Sequence, residues 1–171
     1  MELQQFVPQE VCLKCDGCCR FKDEESLWRP KIAGEEIKLA VKNGLAEEVF
    51  SKKTVGDDGH LRTVSCAGNH FCTFFHPGDN TCGIYRNRPF ECRLYPFILT
   101  KRNQRVVICV HLLCPFIQEK RHDPAFKVYV DYLKFFFNES DVIDFLRRNP
   151  SLAGDYAGYE EELEYLFALS I

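Results

Sequence analysis

The feature that most constrains this chain is the spacing of four cysteines near its start, Cys12-Leu-Lys-Cys15-Asp-Gly-Cys18-Cys19. Two successive gaps of two residues allow a tight turn to bring the thiols of Cys12, Cys15 and Cys18 to one centre. Thiolates grouped in this way bind zinc or the iron of an iron–sulfur cluster. We therefore expect a metal-binding protein.

The remaining cysteines supply partners for this group. In ferredoxins the same C-x2-C-x2-C run is completed by a remote cysteine that precedes proline, and Cys114-Pro115 fits that position. Cys19 directly follows Cys18, and adjacent side chains diverge in a regular helix or strand. We therefore expect Cys19 to serve a second centre with Cys72, Cys82 and Cys92. One site with spare redox-active thiols is the alternative, and the sequence leaves both partitions open.

Three further properties bear on compartment and partners. Residues 1–11 show no basic region followed by an apolar run, so we expect a cytoplasmic protein. In the cytoplasm thiols stay reduced and are available to bind metal. For an exported chain, a disulfide framework is the alternative. The formal charge of -3 gives no basic excess, and we expect no nucleic-acid partner. The longest apolar stretch, near residues 106–113, is far shorter than the roughly 20 residues that cross a bilayer, so we expect no membrane partner.

The cysteines end at Cys114, and this divides the chain. We expect an α+β fold, with a small cysteine-rich, metal-held domain of short β-hairpins over residues 1–116. A helical extension over residues 117–171 follows and packs on it, so that both form one folding unit. The hydrophobic content of 46% is enough for a core that metal supplements.

Hydrophobic periodicity predicts the elements of the first part. Within residues 34–50, apolar side chains recur every four positions, which predicts an amphipathic helix that Asn43-Gly44 breaks in two. Turn residues between β-prone runs predict two hairpins. One contains Asp57-Asp58-Gly59 within residues 54–65, and the other turns at residues 101–104 within residues 97–110.

Three helices are predicted after Cys114. Asp123-Pro124 is typical of a helix start, and the helix buries Phe126, Val130, Leu133 and Phe137. A second helix, capped by Ser140, ends before Pro150. A third helix has Tyr159, Leu163, Leu166 and Phe167 on one face.

The longer motifs of the chain resemble those of the YkgJ-type, or CxxCxxCC, cysteine-cluster family. They are Cys12-x2-Cys15-x2-Cys18-Cys19, Cys72-Thr-Phe-Phe, Cys82-Gly-Ile-Tyr-Arg-Asn-Arg-Pro-Phe-Glu-Cys92-Arg-Leu-Tyr-Pro-Phe and Cys114-Pro115. The likeness covers roughly residues 10 to 116 and implies a zinc- or iron-chelating domain. It implies these metal ligands: Cys12, Cys15, Cys18, Cys19, Cys72, Cys82, Cys92 and Cys114.

Other residues near these motifs have weaker claims. Cys66 and Cys109 fall outside the pattern, and we expect structural roles for them. His70 and His76 lie close to Cys72 in sequence but compete with eight better ligand candidates. Four arginines flank the cysteines and either compensate thiolate charge or pair with carboxylates such as Glu91. They are Arg20, Arg86, Arg88 and Arg93.

No catalytic motif accompanies the cysteines: the chain has no nucleotide-binding glycine fingerprint, no P-loop and no H-E-x-x-H. No catalytic residue is assigned, and whether the protein is an enzyme stays open. The ferredoxin-like spacing favours an iron–sulfur cluster of the 4Fe-4S type, with a redox or accessory role and an unidentified protein or redox partner. The alternative is a zinc-stabilised structural or interaction module. A third hypothesis, part of a protein-modifying system, follows from resemblance to the cysteine cluster of bacterial flagellin lysine N-methylases.

Overall fold

The computed structural model of the chain describes residues 3–52 and 59–171, which form two compact units. The first, here called the cysteine unit, comprises residues 8–92. The second, the carboxy-terminal unit, comprises residues 1–7 and 93–171. The predicted α+β class is confirmed, with short helices and small antiparallel sheets. The division at residue 116 stays a prediction.

The cysteine unit is built from very short elements. They are α1 (Gln9–Cys12), β1 (Arg20–Phe21), β2 (Lys31–Ile32), α2 (Gly34–Lys42), β3 (Phe50–Lys52), β4 (Gly59–Leu61), β5 (Thr63–Cys66), β6 (Asn69–Cys72), β7 (Phe75–His76), β8 (Thr81–Cys82) and α3 (Phe90–Leu94), in which the unit ends. The sheet orders are β1-β6-β5, β2-β4-β3 and β7-β8, and every pairing is antiparallel.

The predicted helix over residues 34–50 is present and broken as expected. α2 ends at Lys42, Gly44 adopts a positive φ of 94°, and a 3-10 turn follows at Glu47–Val49. The turn of the predicted hairpin over residues 54–65 lies partly outside the described residues. The strand on its carboxy-terminal side, β4, pairs with β3 and with β2.

A small apolar core holds the cysteine unit together. Its buried members are Phe21, Ile32, Ile37, Phe50, Leu61, Phe71, Cys72 and Phe75. The rings of Phe71 and Phe75 stack with centroids 5.4 Å apart. Cys19 and Cys92 pack against this core from its edge. The candidate ligands therefore lie where apolar side chains remove water from around sulfur.

The carboxy-terminal unit has longer elements. They are β9 (Phe97–Arg102), β10 (Arg105–His111), α4 (Pro115–Lys120), α5 (Pro124–Phe136), α6 (Ser140–Arg148) and β11 (Leu163–Ala168). The predicted hairpin joins β9 and β10 through Asn103 and Gln104, both with positive φ, a conformation typical of tight hairpin turns. No helix among residues 3–52 and 59–171 is long and apolar enough to cross a membrane.

Two of the three predicted carboxy-terminal helices are confirmed, and the third is wrong. α5 begins after Asp123, whose carboxylate accepts the N–H of Ala125, and its predicted apolar face is buried. α6 begins at Ser140 and ends before Pro150, but its N-cap residue is Glu139, so the predicted cap by Ser140 is wrong. The segment predicted as the third helix forms β11, which pairs with β10. Its apolar residues satisfy a helical period, but pairing with the edge of β10 selects the strand.

Candidate metal centre

The first four cysteines occupy consecutive turns between α1 and β1. Cys12 ends α1, and its carbonyl accepts the N–H of Cys15 at 3.2 Å. The N–H of Gly17 points at the Sγ of Cys15 at 3.4 Å, and the N–H of Cys19 bonds to the carbonyl of Asp16 at 2.9 Å. Because Pro8 sets the start of α1 and the turns follow directly, the local sequence fixes the spacing of these thiols.

Strand pairing brings later cysteines to the same place. The N–H of Cys72 donates to the carbonyl of Cys19 at 2.8 Å, which continues the pairing of β1 with β6. Cys82 lies in β8 and pairs with Phe75 of the neighbouring strand β7. Backbone hydrogen bonds therefore hold Cys19, Cys72 and Cys82 in place.

Cys92 is positioned by carboxylates rather than by a sheet. Glu36 accepts the backbone N–H groups of Ala33 and, at 2.7 Å, of Phe90 at the start of α3. The adjacent Glu91 accepts the backbone N–H of Lys31, and its other oxygen lies 3.4 Å from the Lys31 ammonium. Both side chains of that ion pair are 8% exposed, so it is shielded from solvent. These contacts fix the turn of helix that presents Cys92.

The thiols of Cys18 and Cys19 do not diverge as predicted, since their Sγ atoms lie 3.9 Å apart. Both residues belong to a turn, where the alternation of regular helices and strands does not apply. Two sulfurs bound tetrahedrally to one zinc at 2.3 Å would lie about 3.8 Å apart. The predicted divergence of these two side chains is therefore wrong, and the assignment of Cys19 to a second centre stays a prediction.

The pKa values of this pair differ in direction. The hydrogen bond between the thiols lowers the pKa of Cys18 and raises that of Cys19, because it stabilises the thiolate of the first and the thiol of the second. The two neighbouring thiols therefore differ in how readily each gives up its proton.

Burial acts on the other thiols. It raises the pKa of Cys72 to about 12 and that of Cys92 well above the ordinary value. It also raises the pKa values of Cys12 and Cys82. A metal ion that binds these thiols must displace their protons. Its positive charge then stabilises the thiolates, which burial has removed from water.

Six thiols of the cysteine unit form one electrostatic group around Cys18. A charge on Cys18 raises the pKa of each of the other five. The group, here called the thiol cluster, consists of Cys12, Cys18, Cys19, Cys72, Cys82 and Cys92. Within the described residues, no three histidine, cysteine or acidic side chains are already arranged to hold a metal ion.

Arg88 supplies positive charge to the thiol cluster. Its Nη1 donates to the Sγ of Cys12 at 3.5 Å, and its charge lowers the pKa of Cys12, Cys18 and Cys82 against the effect of burial. Burial disfavours the charged guanidinium, but Cys12 and Tyr85 raise the pKa of Arg88 overall. Of the two readings of the flanking arginines, charge compensation applies to Arg88.

The other arginines near the cysteines behave differently. Arg20 pairs with Asp16 at 3.3 Å and is half exposed, and Arg86 is exposed. Glu91, the carboxylate suggested as an arginine partner, pairs with Lys31. Tyr85 was missed by sequence reasoning. Tyr85 begins the 3-10 turn that ends at Asn87, directly before Arg88. Its position three residues before Arg88 is the sequence signal that could have identified it.

The donor chemistry fits a thiophilic metal. Sulfur, rather than oxygen or imidazole, surrounds the site, and soft thiolates select zinc and iron–sulfur clusters over hard cations. One nitrogen of Arg88, Nη2, is buried and has no hydrogen-bond partner among the described residues. A buried cationic donor beside thiols suits a centre whose ligands carry negative charge.

Two predicted ligands are not among the six thiols of the thiol cluster as defined above. The Sγ of Cys15 accepts the Gly17 N–H at the surface of the same turn. Cys114 belongs to the carboxy-terminal unit, where it is buried and precedes the first residue of α4. Its role as a ligand stays a prediction.

The weaker candidates are also placed. Cys109 is fully buried in β10, in keeping with a structural role, whereas Cys66 is exposed beside the turn between β5 and β6. His70 bonds to the hydroxyl of Ser65 at 3.2 Å, and His76 is exposed with its ring over Gly83. None of these four residues joins the thiol cluster.

Comparison with known proteins supplies a family. Residues 11–120 match the model of the CxxCxxCC family, described as "Putative zinc- or iron-chelating domain". Over 97 residues the chain is 28% identical to an uncharacterized protein of Methanocaldococcus jannaschii, an alignment covering 57% of this chain and 50% of that protein. The chain thus spans about half the length of this relative. No solved structure matches the chain significantly.

Proposed function

The chain belongs to the CxxCxxCC family of zinc- or iron-chelating domains, and from this premise we propose that it holds an iron–sulfur cluster and has a redox or accessory role. The observation that supports this most is the thiol cluster itself, in which the Cys18 and Cys19 sulfurs lie 3.9 Å apart and the N–H of Cys72 bonds to the carbonyl of Cys19.

The distribution of the thiols supports a polynuclear centre. A tetrahedral zinc site and a 4Fe-4S cluster both take four cysteine ligands, so ligand number does not decide between them. The members of the thiol cluster come from separate turns, strands and helices of the cysteine unit, and within the described residues no three of them are already arranged to hold a single ion. A cluster of several irons spreads over a larger volume, and cysteines on different sides can bind it.

The arrangement supports one centre rather than two independent ones. Cys18 belongs to the ferredoxin-like run, yet it interacts with Cys72 and Cys92, which were expected to serve another site. We assign the ligands of a 4Fe-4S cluster to four members of the thiol cluster. When bound, the cluster supplies one-electron transfer, and the cysteine unit excludes water from its sulfurs.

A zinc-stabilised module is the second candidate, and one distance favours it. The Cys18 and Cys19 sulfurs are 3.9 Å apart, close to the separation of two thiolates on a tetrahedral zinc. In that case the metal would stabilise the short strands of the cysteine unit without taking part in electron transfer.

Metal analysis separates the two candidates. We expect protein purified without oxygen to be brown and to contain iron and acid-labile sulfide in equal amounts. Its visible absorption should bleach on reduction with dithionite. Colourless protein with stoichiometric zinc and no sulfide would overturn the proposal in favour of the zinc module.

A further inference from the structure

Arg88 is held in one orientation within the cysteine unit. Its Nε donates to the carbonyl oxygen of Tyr85 at 3.1 Å, and its guanidinium carbon lies 3.7 Å from the centre of the Tyr85 ring. Its Nη1 donates to the Sγ of Cys12 at 3.5 Å. Since the guanidinium is planar, these contacts also fix the direction of the second terminal nitrogen, Nη2.

Nη2 is the unexplained part of this side chain. It is buried and has no hydrogen-bond partner among residues 3–52 and 59–171. Buried donors are rarely left unpaired, because an unmet donor loses its hydration without compensation, and the loss is larger for a charged group. The position of Nη2 therefore calls for an acceptor that the described part of the chain does not supply.

The surroundings indicate the chemistry of that acceptor. Nη1 of the same guanidinium already donates to the Sγ of Cys12 at 3.5 Å, so Arg88 lies directly against a sulfur of the thiol cluster. A site so rich in potential negative charge would repel a free anion once its thiolates form. A sulfide bound to iron differs from a free anion, because the iron that brings it also offsets the negative charge of the thiolates. Such a sulfide can accept a hydrogen bond.

We propose that Nη2 of Arg88 donates a hydrogen bond to an inorganic sulfide of the iron–sulfur cluster, an inference that rests on the function proposed above. One planar group then joins a protein ligand, Cys12, to the cluster itself. Arg88 is a positioning residue that also stabilises the reduced cluster, because its charge and N–H offset the added electron. Tyr85 keeps the guanidinium in this orientation through the contacts of its ring and carbonyl.

The test compares holoproteins prepared without oxygen: the unaltered chain, Arg88→Lys, Arg88→Met and the control Arg86→Met, which removes an exposed arginine from the same segment. Iron, sulfide and zinc are measured first, and this step alone decides the proposed function. The reduction potential should shift to more negative values in Arg88→Met and by less in Arg88→Lys, which keeps the charge. Arg86→Met should leave it unchanged.

A spectroscopic measurement on the unaltered chain does not depend on any variant folding. With 15N-labelled arginine, pulsed electron paramagnetic resonance of the reduced cluster should show coupling to a guanidinium nitrogen. The coupling should vanish in Arg88→Lys and persist in Arg86→Met. Absence of coupling in an iron- and sulfide-containing protein would overturn the role of Arg88 and leave the cluster standing.

The remaining outcomes are equally decisive. Coupling that persists in Arg88→Lys, or an Arg88→Met protein with full cluster content and an unchanged potential, would contradict the hydrogen bond to sulfide. Protein without iron and sulfide would overturn both proposals. If Arg88→Met does not fold, the labelled unaltered chain and Arg88→Lys still decide the assignment.

Discussion

The cysteine unit and the carboxy-terminal unit reach a stable fold by different means. The strands of the cysteine unit contain two to four residues, whereas β9 and β10 contain six and seven. Short isolated hairpins are marginally stable in water, and the core of the cysteine unit includes a candidate ligand, Cys72. The carboxy-terminal unit buries large apolar side chains, among them Phe97, Leu133 and Phe136. From this contrast we expect metal binding and folding to be coupled in the cysteine unit.

Metal removal is the strongest way to test this contrast. Structural zinc contributes roughly 10 to 16 kcal/mol to the folding of small peptides, and a coupled metal centre of either type should act in the same direction. After chelation we expect amides of β5 and β6 to lose protection from hydrogen exchange, while those of β9 and β10 keep it. Equal loss of protection in both units would show that they are not stabilised separately.

Replacing single cysteines should have the next largest effect. Cys82→Ser removes a member of the thiol cluster and should lower both the metal content and the stability of the cysteine unit. Cys109→Ser, in the buried interior of β10, should keep the metal and lower only the stability of the carboxy-terminal unit, because a hydroxyl replaces a buried thiol. Metal analysis with thermal unfolding distinguishes the two. Retention of full metal content by Cys82→Ser would exclude Cys82 as a ligand.

A core substitution in the carboxy-terminal unit sharpens the comparison from the other side. Leu133 is fully buried in α5, and Leu133→Ala should lower the free energy of unfolding of that unit by about 2 to 5 kcal/mol. Val128→Ala, on the same helix at a side chain that is 68% exposed, should change it by less than about 0.5 kcal/mol. Urea unfolding measures both. Loss of metal from Leu133→Ala would contradict the separate origin of stability in the two units.

The same contrast explains which features could be predicted from sequence. Local signals were sufficient for α5, whose Asp-Pro start and apolar face are both present, and for the hairpin of β9 and β10. β11 was mistaken for a helix because Leu163, Leu166 and Phe167 satisfy a helical period. Its strand conformation depends on pairing with β10, about 55 residues earlier in the chain, and no local pattern records such a partner.

The candidate site shows the same limit. The cysteine spacings identified the metal-binding chemistry, which family membership supports. The proximity of the Cys18 and Cys19 sulfurs depends on turn geometry, which the residue types alone did not reveal. The contact between Arg88 and Cys12 joins residues 76 positions apart. Both are products of the folded chain, and they decide how the thiols are grouped and where positive charge is placed.

Asp123 provides the smallest and most local test of the comparison. Its carboxylate accepts the N–H of Ala125 at 2.9 Å, and Asp123→Ala removes this cap. A lost cap costs about 1 kcal/mol, so the midpoint of urea unfolding of the carboxy-terminal unit should fall with an unchanged slope. Asp131→Ala, which breaks only an exposed ion pair with Lys134, should cost less. Because the cap stabilises α5 alone, the metal content of Asp123→Ala should equal that of the unaltered protein. A lower metal content would mean that folding of the carboxy-terminal unit controls metal binding.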